Sequence, residues 1–116
     1  MWKIDLFLDE LTHRGLVPRT IDKYRLHIER FTRWCTANQI ASPRSVTVAD
    51  VLRYVETEIE PRDVTPGWMY SAKLAVHRYF SVLEARNELL FAPAIVIRKP
   101  KGPSGVYGAI DQEVLR

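Results

Sequence analysis

The sequence predicts an all-α protein: four helices joined by short loops, then an extended segment. Apolar residues recur at spacings of three and four in four separate stretches, the pattern of helices facing a common core. Proline or threonine stands where the later stretches begin, and glycine follows the first one, the punctuation that starts and stops helices. No stretch alternates polar and apolar residues at the strand period.

The first helix is predicted from about Trp2 to Arg14, with Ile4, Phe7, Leu8 and Leu11 as its apolar stripe and Gly15 suited to the left-handed residue beyond its end. The second opens at Pro18, whose missing N–H costs nothing in the first turn. Ile21, Tyr24, Ile28, Phe31 and Cys35 form its narrow buried face. Asp22, Arg25 and Glu29 lie on one side of that face and can pair along the helix, while Arg19, Lys23, His27 and Arg30 lie on the other with no carboxylate among them. "NQIASPRS" reads as a loop. Thr47 followed by Asp50 is close to a capping box, so a third helix is expected over Val48 to about Ile59, with Val51, Leu52, Val55 and Ile59 inward and Asp50, Glu56 and Glu58 outward. Thr65 and Pro66 can cap and open the fourth, running to about Arg86. Met69, Ala72, Val76, Tyr79, Phe80 and Leu83 are its core stripe.

"FAPAIVIRKPKGPSGVYG" holds three prolines and three glycines and is mostly barred from helix. The expected organisation is therefore a helical domain over 1–92, a linker over 93–109, and the start of a further domain over 110–116, where Asp111 can cap a helix.

With 116 residues there is room for one modest core, and 47 % hydrophobic with 27 % charged content excludes a disordered chain. No apolar run approaches the ~20 residues of a membrane span, and acids inside "MWKIDLFLDE" argue against a secretory signal, so no membrane partner and a cytoplasmic location are expected. Cys35 is alone and falls on the buried face, and His13, His27 and His77 are scattered. No disulfide framework, metal site or cofactor is expected. No phosphate loop, nucleophile elbow or H-E-x-x-H motif is present, and no catalytic residue is assigned.

Charge is unevenly placed. The net value is +3, but residues 19–46 carry +4, residues 47–63 carry −3 and residues 64–101 carry +4. The second helix has its acid-free basic flank, the fourth has no acid from Val64 to Leu83 while carrying Lys73, His77 and Arg78, and the linker adds Arg98, Lys99 and Lys101. Each face alone is compatible with ordinary solvation. Together they fit a phosphate-rich partner, through charge neutralisation and counterion release.

"GLVPRTIDKYRLHIERFTRWC" resembles the G-L-S-x-x-T-L-x-x-Y-x-x-x-L-x-x-F-x-x-W-L signature of tyrosine recombinases, the second helix of the N-terminal core-binding domain in phage integrases and Xer-type recombinases. "FLDEL" resembles that domain's first helix, "LAVHRYFSVLEARNELLFAPAIVIRKPKGP" its fourth helix and exit, and "AIDQEVLR" the opening of the catalytic domain. The resemblance implies a four-helix, SAM-like orthogonal bundle that forms half of a clamp on double-stranded DNA, with the second and fourth helices toward the major groove. It carries DNA contact to Arg19, Thr20, Lys23 and His27, and to Ser71, Lys73, His77 and Arg78; Arg30 continues the same flank. It also implies other recombinase protomers as partners in a full-length synaptic assembly, with the isolated domain monomeric. Val17 stands where the family often has a small polar cap, Ala92 replaces an asparagine, and Ser71 and His77 occupy positions that are often arginine. The family's catalytic Arg, Lys and His groups and its tyrosine nucleophile belong to a second domain; Tyr107 lies in the linker and is not that tyrosine. The expectation is a non-catalytic fragment. A helical protein-interaction module, docking a basic partner on the acidic third helix, and a free-standing DNA-binding regulator are the alternatives.

Overall fold

The computed structural model describes residues 2–89 and Pro93. Four helices form: α1 (Ile4–His13), α2 (Pro18–Ala37), α3 (Val48–Tyr54) and α4 (Pro66–Ala85), with a short 3₁₀ turn at Pro43–Ser45 and no strand among the described residues. The expected linker over 93–109 and the segment over 110–116 lie outside the described residues, Pro93 apart.

The helix ends follow from local chemistry. The Thr47 side chain accepts from the Asp50 N–H at 3.1 Å, and the Asp50 carboxylate accepts from the Thr47 N–H at 3.0 Å, a complete capping box. Thr65 Oγ1 accepts from the Trp68 N–H at 3.1 Å, and Pro66 follows as the first residue of α4. Val17 precedes Pro18 with no side-chain cap. At the other ends, α1, α2 and α4 close in the same way. Gly15, Gln39 and Asn87 take positive φ values of 88°, 61° and 63°. The residue after each donates back to the helix: Leu16 N–H to Leu11 C=O, Ile40 N–H to Cys35 C=O and Glu88 N–H to Leu83 C=O.

α1 packs on α2 and α4, α2 packs on α4, and the end of α3 packs on α4. Edge-to-face aromatic contacts run through the core and join all four helices. Phe7 meets Tyr24 and Tyr79 at ring-centroid distances of 6.0 and 5.5 Å, Tyr79 meets Phe80 at 5.1 Å, and Phe31 meets Phe80 and Tyr54 at 5.8 and 4.9 Å. The Tyr79 hydroxyl donates to the Trp2 carbonyl, tying the N-terminal residues to α4. Cys35 is fully buried, and burial raises its thiol pKa to about 12, which leaves it protonated and inert.

α3 differs from expectation in one respect. Leu52, expected inward, is 49 % exposed, and Tyr54 is buried in its place against Phe31 and Trp34. After Tyr54 the helix widens into a π turn over Val55–Ile59, closed by a Glu60 N–H to Val55 C=O bond of 2.9 Å. The wider turn carries Ile59 back to the side of Val51, Tyr54 and Val55, so the buried stripe centres away from Leu52. No described helix is long and apolar enough to cross a membrane.

Candidate functional site

α2 and α4, each of 20 residues, lie against one another, and beside their contact runs a cleft of about 520 Å³. Its α2 wall is Lys23, Leu26, His27, Arg30 and Arg33; its α4 wall is Gly67, Trp68 and Ser71. A smaller hollow of about 220 Å³ adjoins it, sharing Lys23, His27 and Ser71 and adding Thr20, Tyr24 and Leu74. The two form one groove along the line between the helices.

The groove is assembled by helical phase. Thr20, Lys23, His27 and Arg30 recur at three- and four-residue spacings on the side of α2 turned toward α4. On α4, Gly67, Ser71, Leu74 and Arg78 do the same in return. Trp68 enters at the first turn of α4 and organises the mouth. The His27 ring meets its indole edge-to-face at 5.3 Å, and the guanidiniums of Arg30 and Arg62 lie 5.7 and 5.8 Å from its ring centre. Farther along, Arg78 lies 5.8 Å over the Tyr24 ring. Burial holds the His27 pKa below the ordinary imidazole value, with the neighbouring charges of Arg30 and Lys23 adding to the effect.

No carboxylate is among the residues that line this groove. The ion pairs among the described residues are Lys3–Glu88, Arg14–Glu10, Arg86–Glu10, Arg25–Asp22 and Arg53–Asp50. Arg19, Lys23, Arg30, Arg33, Lys73 and Arg78 join none of them. Arg25 and Asp22 pair at 2.6 Å on the opposite flank of α2, as the spacing predicts. Like charges one turn apart cost α2 stability. The groove side carries that cost and keeps its positive charge available to an anionic ligand.

Of the residues singled out in the sequence, Thr20, Lys23, His27, Arg30 and Ser71 are brought together in the groove. Arg19 is exposed one turn before Lys23 on the same flank, and Arg78 extends the α4 wall. Lys73 and His77 are not brought there: at about 100° per residue, they fall on the opposite side of the α4 core stripe from Ser71. Arg98, Lys99 and Lys101 lie outside the described residues. Leu26, Arg33, Arg62 and Trp68 belong to the site and were not singled out. Arg33 was visible as the next step of the Arg19, Lys23, Arg30 spacing, whereas Arg62 and Trp68 meet only because the α3–α4 loop folds back on the start of α4.

The described residues hold no group of three or more His, Cys, Asp or Glu arranged for a metal. The groove offers cations, an imidazole, a hydroxyl and aromatic faces, which equip it for binding an extended polyanion.

Comparison with known proteins gives two matches. The family model described as phage integrase, N-terminal SAM-like domain, matches residues 4–87. A protein named tyrosine recombinase XerC 2, from Ralstonia nicotianae, is 29 % identical over 112 residues, an alignment covering 92 % of this chain and 32 % of that protein. The chain thus spans about a third of the length of this curated relative. No solved structure matches the chain.

Proposed function

The chain belongs to the family of phage integrase N-terminal SAM-like domains, and from that premise we propose that it grips duplex DNA at a recombination site through the α2/α4 groove. In this reading it is the core-binding domain of a cytoplasmic tyrosine recombinase. Strand cleavage and joining fall to residues other than 1–116, and other protomers join it in the synaptic assembly.

The observation that carries the reading is the groove itself: Lys23, Arg30 and Arg33 line one wall and join no ion pair among the described residues. Lys23 and Arg30 neutralise backbone phosphates, with Arg19 and Arg78 at the two ends. Thr20 and Ser71 donate hydroxyl hydrogen bonds, and His27 donates one N–H when neutral and two once protonated. Such contacts position the domain on the duplex rather than read its sequence. Lys73 and His77 are assigned to phosphates beyond the groove, and Arg98, Lys99 and Lys101 are assigned phosphate contact on their sequence alone.

The test is fluorescence anisotropy of a labelled duplex titrated with residues 1–116 across a salt series. Binding of roughly 10⁻⁴ to 10⁻⁶ M is expected, weakening linearly in log–log form as salt rises. No covalent protein–DNA adduct should form. Absent or salt-indifferent binding, or an adduct, contradicts the reading. Salt-sensitive capture of a basic peptide without duplex binding would assign the domain to protein interaction through α3 instead.

A further inference from the structure

One apolar side chain interrupts the cationic ridge of α2. Arg19, Lys23, Leu26, Arg30 and Arg33 follow one another at spacings of four, three, four and three residues, so they form a single line along the helix. Leu26 is 65 % exposed, the largest exposure among the exposed large hydrophobic residues of the described chain. It lines the groove with the cations on both sides of it. An isolated exposed leucine needs no explanation on most surfaces. Here its neighbours fix what it will meet.

The dimensions are informative. Lys23 and Arg30 are seven residues apart, about 10.5 Å along the helix axis at 1.5 Å per residue. The major groove of B-form DNA is about 12 Å wide. A helix lying across that groove with Lys23 and Arg30 on its two phosphate walls holds the residue between them over the groove floor. That residue is Leu26, about 4.5 Å of axial rise from Lys23 and about 6 Å from Arg30. A leucine offers no donor or acceptor, so it cannot read a hydrogen-bonding base edge. The apolar group that the floor presents is the C5-methyl of thymine.

We infer that Leu26 is a specificity-determining residue which packs on a thymine methyl in the major groove. The inference rests on the duplex-DNA reading and goes beyond it, because the cations position the domain without distinguishing one sequence from another. It predicts one thymine-preferring position in the bound site, between the phosphates held by Lys23 and Arg30.

The experiment starts from duplexes selected from a random pool by residues 1–116. Each thymine of a selected duplex is then replaced in turn by deoxyuracil, which removes only the methyl group. At one position the unaltered protein should lose about fourfold in affinity, the worth of one buried methyl. Leu26→Ala, a change to a strong helix former at an exposed position, should bind the thymine and deoxyuracil duplexes equally there and keep the full salt slope. Equal binding of both duplexes by the unaltered protein at every position, with salt dependence intact, overturns the Leu26 inference and leaves the DNA reading standing. A methyl effect that persists in Leu26→Ala likewise overturns it. Failure of the protein to bind duplex in a salt-dependent way removes both.

Discussion

Two tryptophans of this domain each hold an arginine on the ring face, and they differ in what else is present. Arg53 lies 5.2 Å from the centre of Trp34, and its guanidinium also pairs with Asp50 at 3.2 Å. Trp34 in turn packs on the buried Tyr54 at 5.3 Å. Arg30 and Arg62 lie at 5.7 and 5.8 Å from Trp68, beside His27, and neither joins an ion pair among the described residues. Stacking orders the guanidinium at both places. At Trp68 the stacked cations stand outside any ion pair among the described residues, with Arg62 Nε donating to the Glu58 carbonyl at 2.7 Å. The first arrangement is complete within the domain; the second is organised and electrostatically open. The difference shows that exposed arginines of similar appearance are told apart by their carboxylate partner: Arg53 has one within the domain, whereas Arg30 and Arg62 join no ion pair among the described residues.

The sharpest way to break this comparison is to remove each ring. Trp34→Ala should lower stability by about 2–3 kcal/mol, since a partly buried ring against the core is lost, with duplex affinity unchanged once the protein is folded. Trp68→Ala should cost less stability but weaken duplex binding, because Arg30 and His27 lose the surface that orders them. Chemical denaturation followed by anisotropy on the folded variants separates the two effects. Equal losses of affinity for both variants would erase the distinction.

Removing the cations comes next. Arg30→Ala should weaken duplex binding roughly tenfold at ~0.1 M salt, the share of one neutralised phosphate. Arg53→Ala should leave binding nearly unchanged and reduce stability by at most ~1 kcal/mol, as expected for an exposed pair. Anisotropy titrations of the two variants give the comparison directly.

A smaller effect is expected from pH. Burial, and then Arg30 and Lys23, lower the His27 pKa from the ordinary 6.5, so the native state resists a proton that the unfolded chain accepts. This contribution to stability is fully present above 6.5 and is lost as pH falls through the lower native value. A bound phosphate acts in the opposite sense by favouring the imidazolium. Duplex affinity should therefore rise as pH falls below 6.5, with proton uptake on binding, and His27→Gln should flatten both trends. Thermal melts and anisotropy across that pH range check this; an unaltered pH profile in His27→Gln would remove His27 from the groove's chemistry.

Much of this architecture is legible in the sequence because it is set locally. Pro18, Thr47 with Asp50, and Thr65 with Pro66 mark helix starts, and the structure uses each as its chemistry dictates. The stripe of α2 is equally plain, since Ile21, Tyr24, Ile28, Phe31 and Cys35 are all buried. The basic flank follows from the same phase. Leu52 was misread because a hydrophobic pattern assumes constant helical pitch, and the π turn over Val55–Ile59 departs from it. Ala75 and Val82 show a related effect: α4 touches α1, α2 and the end of α3, so its buried face is wider than one stripe. Trp68 and Arg62 could not be paired in advance, because their meeting depends on the α3–α4 loop.

The central claim is that the open charge of the α2 flank is directed at phosphate. Its most direct test is the salt slope of duplex binding for Lys23→Ala set beside Asp22→Ala, two neighbours on opposite flanks of one helix. Lys23→Ala should reduce the slope by about one unit and weaken binding similarly for all duplexes, while Asp22→Ala should leave the slope nearly unchanged. An unaltered slope for Lys23→Ala, with its helix content retained by circular dichroism, would contradict the claim and make the flank an ordinary solvated helix face.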